Sequence, residues 1–166
     1  MKDLIIDSAE VFVVGPETKR YAWALDTGDV EGFVSCFTAD AVVLEEVFED
    51  PDRWEGHEGI RQLAEHYRQS AGFPGRQHHI SQLLIEGTAP ECTARSYAFV
   101  TECHGEPPYT LRFTGYYEDR VRREADGWRF ASRRIRLWDG PVLQRFPGHG
   151  TWKPRKRPPE LVVKRR

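Results

Sequence analysis

Cysteine is scarce: the chain has Cys36, Cys92 and Cys103, and no two of them stand in a C-x-x-C spacing. An odd, scattered set excludes a disulfide framework and a thiolate metal site, and small buried hydrophobes are expected instead. Long apolar runs are also missing. No stretch approaches the roughly 18 apolar residues of a membrane-crossing helix. The opening Met1-Lys2-Asp3-Leu4-Ile5-Ile6-Asp7 has neither an apolar core nor a small-residue cleavage site. No signal peptide, no membrane contact and a cytoplasmic location are the expectation. H-x-H, H-E-x-x-H, G-x-G-x-x-G, Walker-type and G-x-S-x-G patterns are absent too, so metal-free and cofactor-free chemistry is expected.

What is present suits one globular unit. Of 166 residues 39% are hydrophobic, enough for one packed core, and 30% are charged, enough to solvate its surface. The charge is uneven. From Lys153 on, seven basic residues stand against Glu160, a net of +6, so residues 1–152 carry −8 of the overall −2. Residues 1–140 read as the folded domain and 141–166 as a Pro-rich basic tail. No aromatics are interleaved among its charges for base stacking, so no nucleic-acid binding is expected. The apolar Val142, Leu143, Phe146 and Trp152 predict a segment that wraps a neighbouring subunit or the pocket mouth.

Periodicity divides the domain. Helices are expected over Pro16–Asp26, with Tyr21 and Leu25 on one face, and over Val30–Phe37, capped by Asp29. A strand follows over Ala41–Phe48. A third helix opens at Gly56-His57-Glu58-Gly59, carries Ile60, Leu63, Ala64 and Tyr67 at helical spacing, and stops near Gly72. Strand-like runs then cover Gln77–Ile85, Thr93–Cys103, Tyr109–Arg123 and Trp128–Trp138, the last two joined at Asp126-Gly127. Helices followed by a meander give α+β. The expected shape is a cone-like barrel of a curved, mixed or antiparallel sheet, covered by three N-terminal helices around an interior pocket.

Several residues point to chemistry. Asp26 ends its helix, where a carboxylate opposes the helix dipole and needs a compensating partner. His78 and His79 are strand neighbours and face opposite ways, so at most one looks inward. A histidine held by a carboxylate on one ring nitrogen can take a proton with the other. His104, before the turn Gly105-Glu106-Pro107-Pro108, is a candidate general acid. Tyr21, Tyr97, Tyr116 and Tyr117 are candidates either for the pocket lining or for the core. Arg133 and Arg134 likewise face opposite ways, and either the inward one holds an enolate or both serve the surface.

Tyr21 to Asp29 (YAWALDTGD), Phe33 to Ala41 (FVSCFTADA), Gln77 to Gln82 (QHHISQ) and the pair Gly115–Arg120 (GYYEDR) and Asp126–Phe130 (DGWRF) together resemble the SnoaL-like, nuclear-transport-factor-2-like superfamily. The likeness spans roughly residues 16 to 138. Within the superfamily the pattern is nearest scytalone dehydratase and hexachlorocyclohexane dehydrochlorinase, lyases that use an Asp–His dyad without metal or cofactor. The resemblance implies Asp26 and His78 as the dyad, with His79 the competing choice because an ungapped count back from the next strand favours it. It implies His104 as a second pocket histidine and Arg133 as a pocket arginine. The dehydratase has tyrosines where this chain has Leu25 and, approximately, Glu46.

The resulting expectation is a cofactor-independent lyase or cyclase of the dehydratase type. Asp26 and His78 would abstract a proton, His104 would act as acid, and Tyr21, His79, Tyr97, Tyr117 and Arg133 would bind substrate. The partner is a small polycyclic, polyketide-like or aromatic molecule, and the chain is expected to form a homodimer or homotrimer. The rivals are a ketosteroid-type isomerase, an epoxide-opening hydrolase or cyclase, and a non-catalytic binding or assembly domain.

Overall fold

A computed structural model describes residues 20–70, 72–138 and 156–157. Its elements run α1 (residues 20–27), α2 (Val30–Val34), β1 (Phe37–Glu46), β2 (Asp52–Glu55), α3 (Gly56–Arg68), β3 (Arg76–Thr88), β4 (Glu91–Glu102), β5 (Thr110–Glu124) and β6 (Gly127–Leu137). The start expected for the first helix at Pro16 lies outside the described residues.

The strands form one six-stranded sheet in the order β2-β1-β6-β5-β4-β3. The pairing of β1 with β6 is parallel and the other pairings are antiparallel. This is the expected α+β cone, but the curved sheet stays open, with β2 and β3 as its edges.

Two expected boundaries move. The second helix ends at Val34 and the strand after it begins at Phe37, four residues before Ala41. Phe37 and Cys36 are claimed by the sheet: Phe37 pairs with Phe130, whose amide donates to the Cys36 carbonyl at 2.9 Å. The Asp29 side chain does cap α2, accepting from the Gly32 amide at 2.9 Å. Strand β2 had no expectation behind it. Of its four residues, Trp54 alone is apolar, and charged neighbours on a sheet edge hide the alternation.

Strand pairing fixes what faces the helices. The inner face carries Trp54 on β2; Ala41, Val43 and Glu45 on β1; Arg133 and Ile135 on β6; Tyr117, Asp119 and Val121 on β5. Strand β4 contributes small side chains, Cys92, Ala94, Ser96 and Ala98, and β3 adds His78 and Ile80. Onto this face α1 lays Tyr21, Ala24 and Leu25, and α3 lays Ile60, Leu63 and Ala64. Tyr21 is the hub of an aromatic cluster, with ring centroids 5.0 Å from Phe33 and 5.9 Å from both Phe37 and Phe130. Such pairs contribute about 0.5–1.5 kcal/mol each beyond their buried area. The three cysteines form no disulfide, and Cys36 and Cys92 are buried in this core.

Candidate functional site

Two turns bring the site together. The chain leaves α1 through Gly28 at φ +74, and a Cβ there would lie 2.9 Å from the Phe73 ring. Asp26 thus sits in the last turn of α1, against the loop that feeds β3. His78 is the third residue of β3 and shares the inner face with its partner Val100.

Asp26 is compensated as its position demands. Its Oδ1 accepts from His78 Nδ1 at 2.5 Å, and its Oδ2 accepts from the His78 backbone amide at 2.8 Å. One residue therefore occupies both carboxylate oxygens. The ring bond places the proton on Nδ1 and leaves the Nε2 lone pair as the free base. No hydrogen bond reaches Nε2 from the described residues. The two side chains are 17% and 6% exposed, so the dyad is sheltered but not sealed.

His79 points the other way. It stacks on Phe99 at 4.5 Å and contacts Thr101 Oγ1 at 3.0 Å on the outer face. Tyr97 is also on the outer face, half exposed against Trp138. His104 lies half exposed in the turn after β4, 3.9 Å from Glu102. The structure therefore places His79, Tyr97 and His104 apart from the interior group, the first two by strand parity and the third by its loop.

Tyr21, Tyr117 and Arg133 are all interior. Arg133, weighed above as a residue that could face outward, has no exposed surface; its Nε and Nη2 donate to Asp119 at 2.8 Å each. Its guanidinium lies 4.1–4.3 Å from the ring centres of Tyr21, Phe130 and Tyr117. Burial opposes its charge, and Asp119 more than offsets that. Two interior polar atoms, Arg133 Nη1 and Ser96 Oγ, have no hydrogen-bond partner among the described residues. Buried polar atoms are rarely left so, and a water or ligand is the usual complement.

Sequence reasoning missed a second interior pair, a carboxyl group and a phenol. Tyr67 Oη donates to Glu45 Oε1 at 2.8 Å, and Trp54 Nε1 donates to Oε2 at 3.2 Å. The Tyr67 ring meets the His78 ring edge-on at 6.0 Å. Burial raises the Glu45 carboxyl above the usual carboxylate range, against the hydrogen bonds of Tyr67 and Trp54. Burial also pushes Tyr21 up to about 12 and raises Tyr67 and Tyr117 well above an ordinary phenol. Glu46, the position weighed from the sequence, faces outward to Arg134 and Arg136.

Among the described residues, no group of three or more His, Cys, Asp or Glu side chains could hold a metal ion, and no helix is long and apolar enough to cross a membrane. A surface depression lies elsewhere, lined by Arg53, Trp54 and Glu58 among others, and neither dyad residue lines it.

The SnoaL-like domain family matches the chain over residues 18–134. No curated protein sequence matches. Among solved structures, Rv3472(D26N) of Mycobacterium tuberculosis, of unknown function, is 26% identical over 84% of this chain and 78% of its own, with a TM-score of 0.69. A protein of Catenulispora acidiphila in complex with S-DNPA is 27% identical over 81% of this chain and 98% of its own, with a TM-score of 0.67. A Novosphingobium aromaticivorans protein provisionally described as a scytalone dehydratase shares the fold, at 22% identity over 78% of this chain and 84% of its own, with a TM-score of 0.66.

Proposed function

This chain belongs to the SnoaL-like domain family, and we propose that it is a cofactor-independent lyase or cyclase in which His78 removes a proton from a small aromatic or polyketide-like carbonyl compound. The observation that carries this reading is the double hydrogen bond from His78 to Asp26. It fixes the ring, selects the tautomer with Nε2 free, and holds a negative charge ready for the imidazolium that forms on proton uptake. Arg133 Nη1 and Ser96 Oγ are candidate donors to the developing enolate oxygen, since both lack a partner and lie on the same inner face. The Tyr67 ring, edge-on to His78 at 6.0 Å, suits a flat, largely apolar substrate beside the base.

The test needs no knowledge of the natural substrate. In deuterated water, 2-tetralone and related aryl ketones report proton abstraction by enzyme-dependent deuterium uptake, read by mass spectrometry. General-base catalysis contributes about 100- to 10,000-fold, so His78→Gln should slow uptake at least about 100-fold. Asp26→Asn should do comparable damage, and the double variant little more, because both residues serve one proton transfer. His79→Ala should be close to wild type. Full uptake in His78→Gln and Asp26→Asn would sink the base and leave a binding or assembly domain.

A further inference from the structure

The dyad side chains keep some accessible surface, and Tyr67, Glu45 and Arg76 beside them are partly buried residues, Arg76 lying 6.0 Å from the centre of the Tyr67 ring. Tyr21, Tyr117 and Arg133, deeper on the same face, keep almost none. A small molecule that reaches the His78 ring comes beside the Tyr67 ring, which stands edge-on to it at 6.0 Å and is hydrogen-bonded to Glu45. Its ring-to-ring contact with His78 and its hydrogen bond to Glu45 put Tyr67 between the base and a carboxyl group.

We propose that Tyr67 and Glu45 form a proton-delivering arm beside the His78 base, and that the substrate is accordingly a β-hydroxy carbonyl compound whose hydroxyl leaves as water. The proposal rests on the reading of His78 as the base. Trp54 explains how the arm works. An indole N–H only donates, so the Nε1 bond keeps Glu45 Oε2 an acceptor and directs any carboxyl proton to Oε1, which faces Tyr67. With Glu45 protonated, the bond at Oε1 reverses: Glu45 donates to Tyr67 Oη, and the phenol hydrogen is free to turn to the substrate. His78 Nε2 takes the proton from the carbon next to the carbonyl. The C–H electrons form the new C=C bond and the C–O bond breaks. The departing oxygen takes the Tyr67 proton, and Tyr67 takes the proton of Glu45. The products are the enone and one water, with His78 protonated and Glu45 ionised; exchange through solvent returns the proton.

Charged and titratable neighbours on every side act on Glu45. Tyr67 on α3, Tyr21 on α1, Tyr117 on β5, Asp52 on β2 and Arg157, which is paired with Asp52, all act on it, and the neutral Trp54 indole donates to it. Along the sheet, Arg133 is already paired to Asp119. Asp52 favours the protonated carboxyl and Arg157 the ionised one. Burial, the largest influence, and Asp52 favour the protonated form, against Tyr67, Trp54 and Arg157.

Two probes separate the arm from the base. 4-Hydroxy-4-phenylbutan-2-one and 4-chloro-4-phenylbutan-2-one eliminate to the same enone, and chloride needs no proton to leave. Tyr67→Phe and Glu45→Gln should lower turnover of the hydroxy ketone at least about 100-fold more than that of the chloro ketone. The wild-type alkaline limb on the hydroxy ketone should flatten in Glu45→Gln, which keeps the shape and loses the titration. His78→Gln should depress both ketones alike. Equal losses on the two ketones in Tyr67→Phe, or an intact alkaline limb in Glu45→Gln, would overturn the arm while leaving the base standing. If His78→Gln leaves both conversions untouched, the base falls, and the arm as a partner to it falls with it. If wild type converts neither ketone, carboxyl carbon NMR decides: a Glu45 titration in the ordinary carboxylate range overturns the arm, and one above it that moves in Tyr67→Phe supports it.

Discussion

Arg133 and Asp119 meet in a fully enclosed setting, and that makes the pair sensitive to the loss of either member. Two desolvated charges offset one another, but one alone does not. Asp119→Asn or Arg133→Met alone should therefore cost about 3–5 kcal/mol in urea unfolding. The double replacement Arg133→Met with Asp119→Leu should recover most of that loss, because it removes both charges and keeps apolar volume. A double variant as unstable as the singles would show that the guanidinium's seat among three rings matters more than its charge balance. Tyr21 offers a second test. Its folded phenol is raised, chiefly by burial against the opposing pull of Arg133, to about 12 from an ordinary 10. The folded state thus holds this proton more tightly than the unfolded state. The resulting stability is complete below pH 10 and is lost as pH rises towards 12. Stability should fall through this window in wild type and fall less steeply in Tyr21→Phe, measured by denaturant midpoints.

At the scale of elements, α1 and β3 make the dyad, and one glycine and one bulge set their geometry. A side chain at Gly28 would be strained by the left-handed backbone and would press on Phe73. Gly28→Ala should cost at least about 1–2 kcal/mol and weaken the dyad, seen as a displaced His78 ring signal in NMR. The bulge explains what the sequence could not disclose about the histidines. Between Ser81 and Leu84, β3 takes three steps while β4 takes two from Tyr97 to Arg95, with Gln82 at φ 48. An ungapped count across this point puts His79 opposite Val100; the extra residue puts His78 there instead. Adjacent histidines showed that at most one would face inward, but only the bulge says which. Glu45 was hidden for a related reason. It neighbours Glu46 in a run of strand formers, and pairing with β6 alone decides which carboxylate turns inward. The helices, the meander and Asp26 were legible because amphipathic spacing and turn residues are local signals. Face assignment depends on long-range register.

Across the whole molecule, the described part of the basic tail meets the domain through Arg157. Arg157 contacts Asp52 at 2.6 Å and Asp50 at 3.1 Å and lies 4.6 Å from the centre of the Phe48 ring. The expected wrapping by Val142, Leu143, Phe146 and Trp152 lies outside the described residues. Arg157→Ala should lower the melting temperature and raise the Glu45 titration further, since a positive neighbour of that carboxyl is removed. An unchanged Glu45 titration by NMR would argue that solvent screens the contact. The outer sheet face exposes Leu84, Tyr97, Phe99 and Leu111. A patch of this kind is where the expected homodimer or homotrimer would form. Phe99→Lys should then reduce the mass seen by light scattering to that of a monomer, and a monomeric wild type would refute the expectation.

The bond from the His78 amide to Asp26 has a kinetic consequence. Among the described residues strand β3 has no strand beyond it, so this amide is shielded by a carboxylate on another element and not by the sheet. Its exchange for deuterium is then timed by how often the end of α1 lifts away, a local opening that can be far more frequent than global unfolding. A single backbone signal would thus count the moments when the base loses its anchor. A ligand that presses α1 onto β3 should slow that exchange before any turnover is detected.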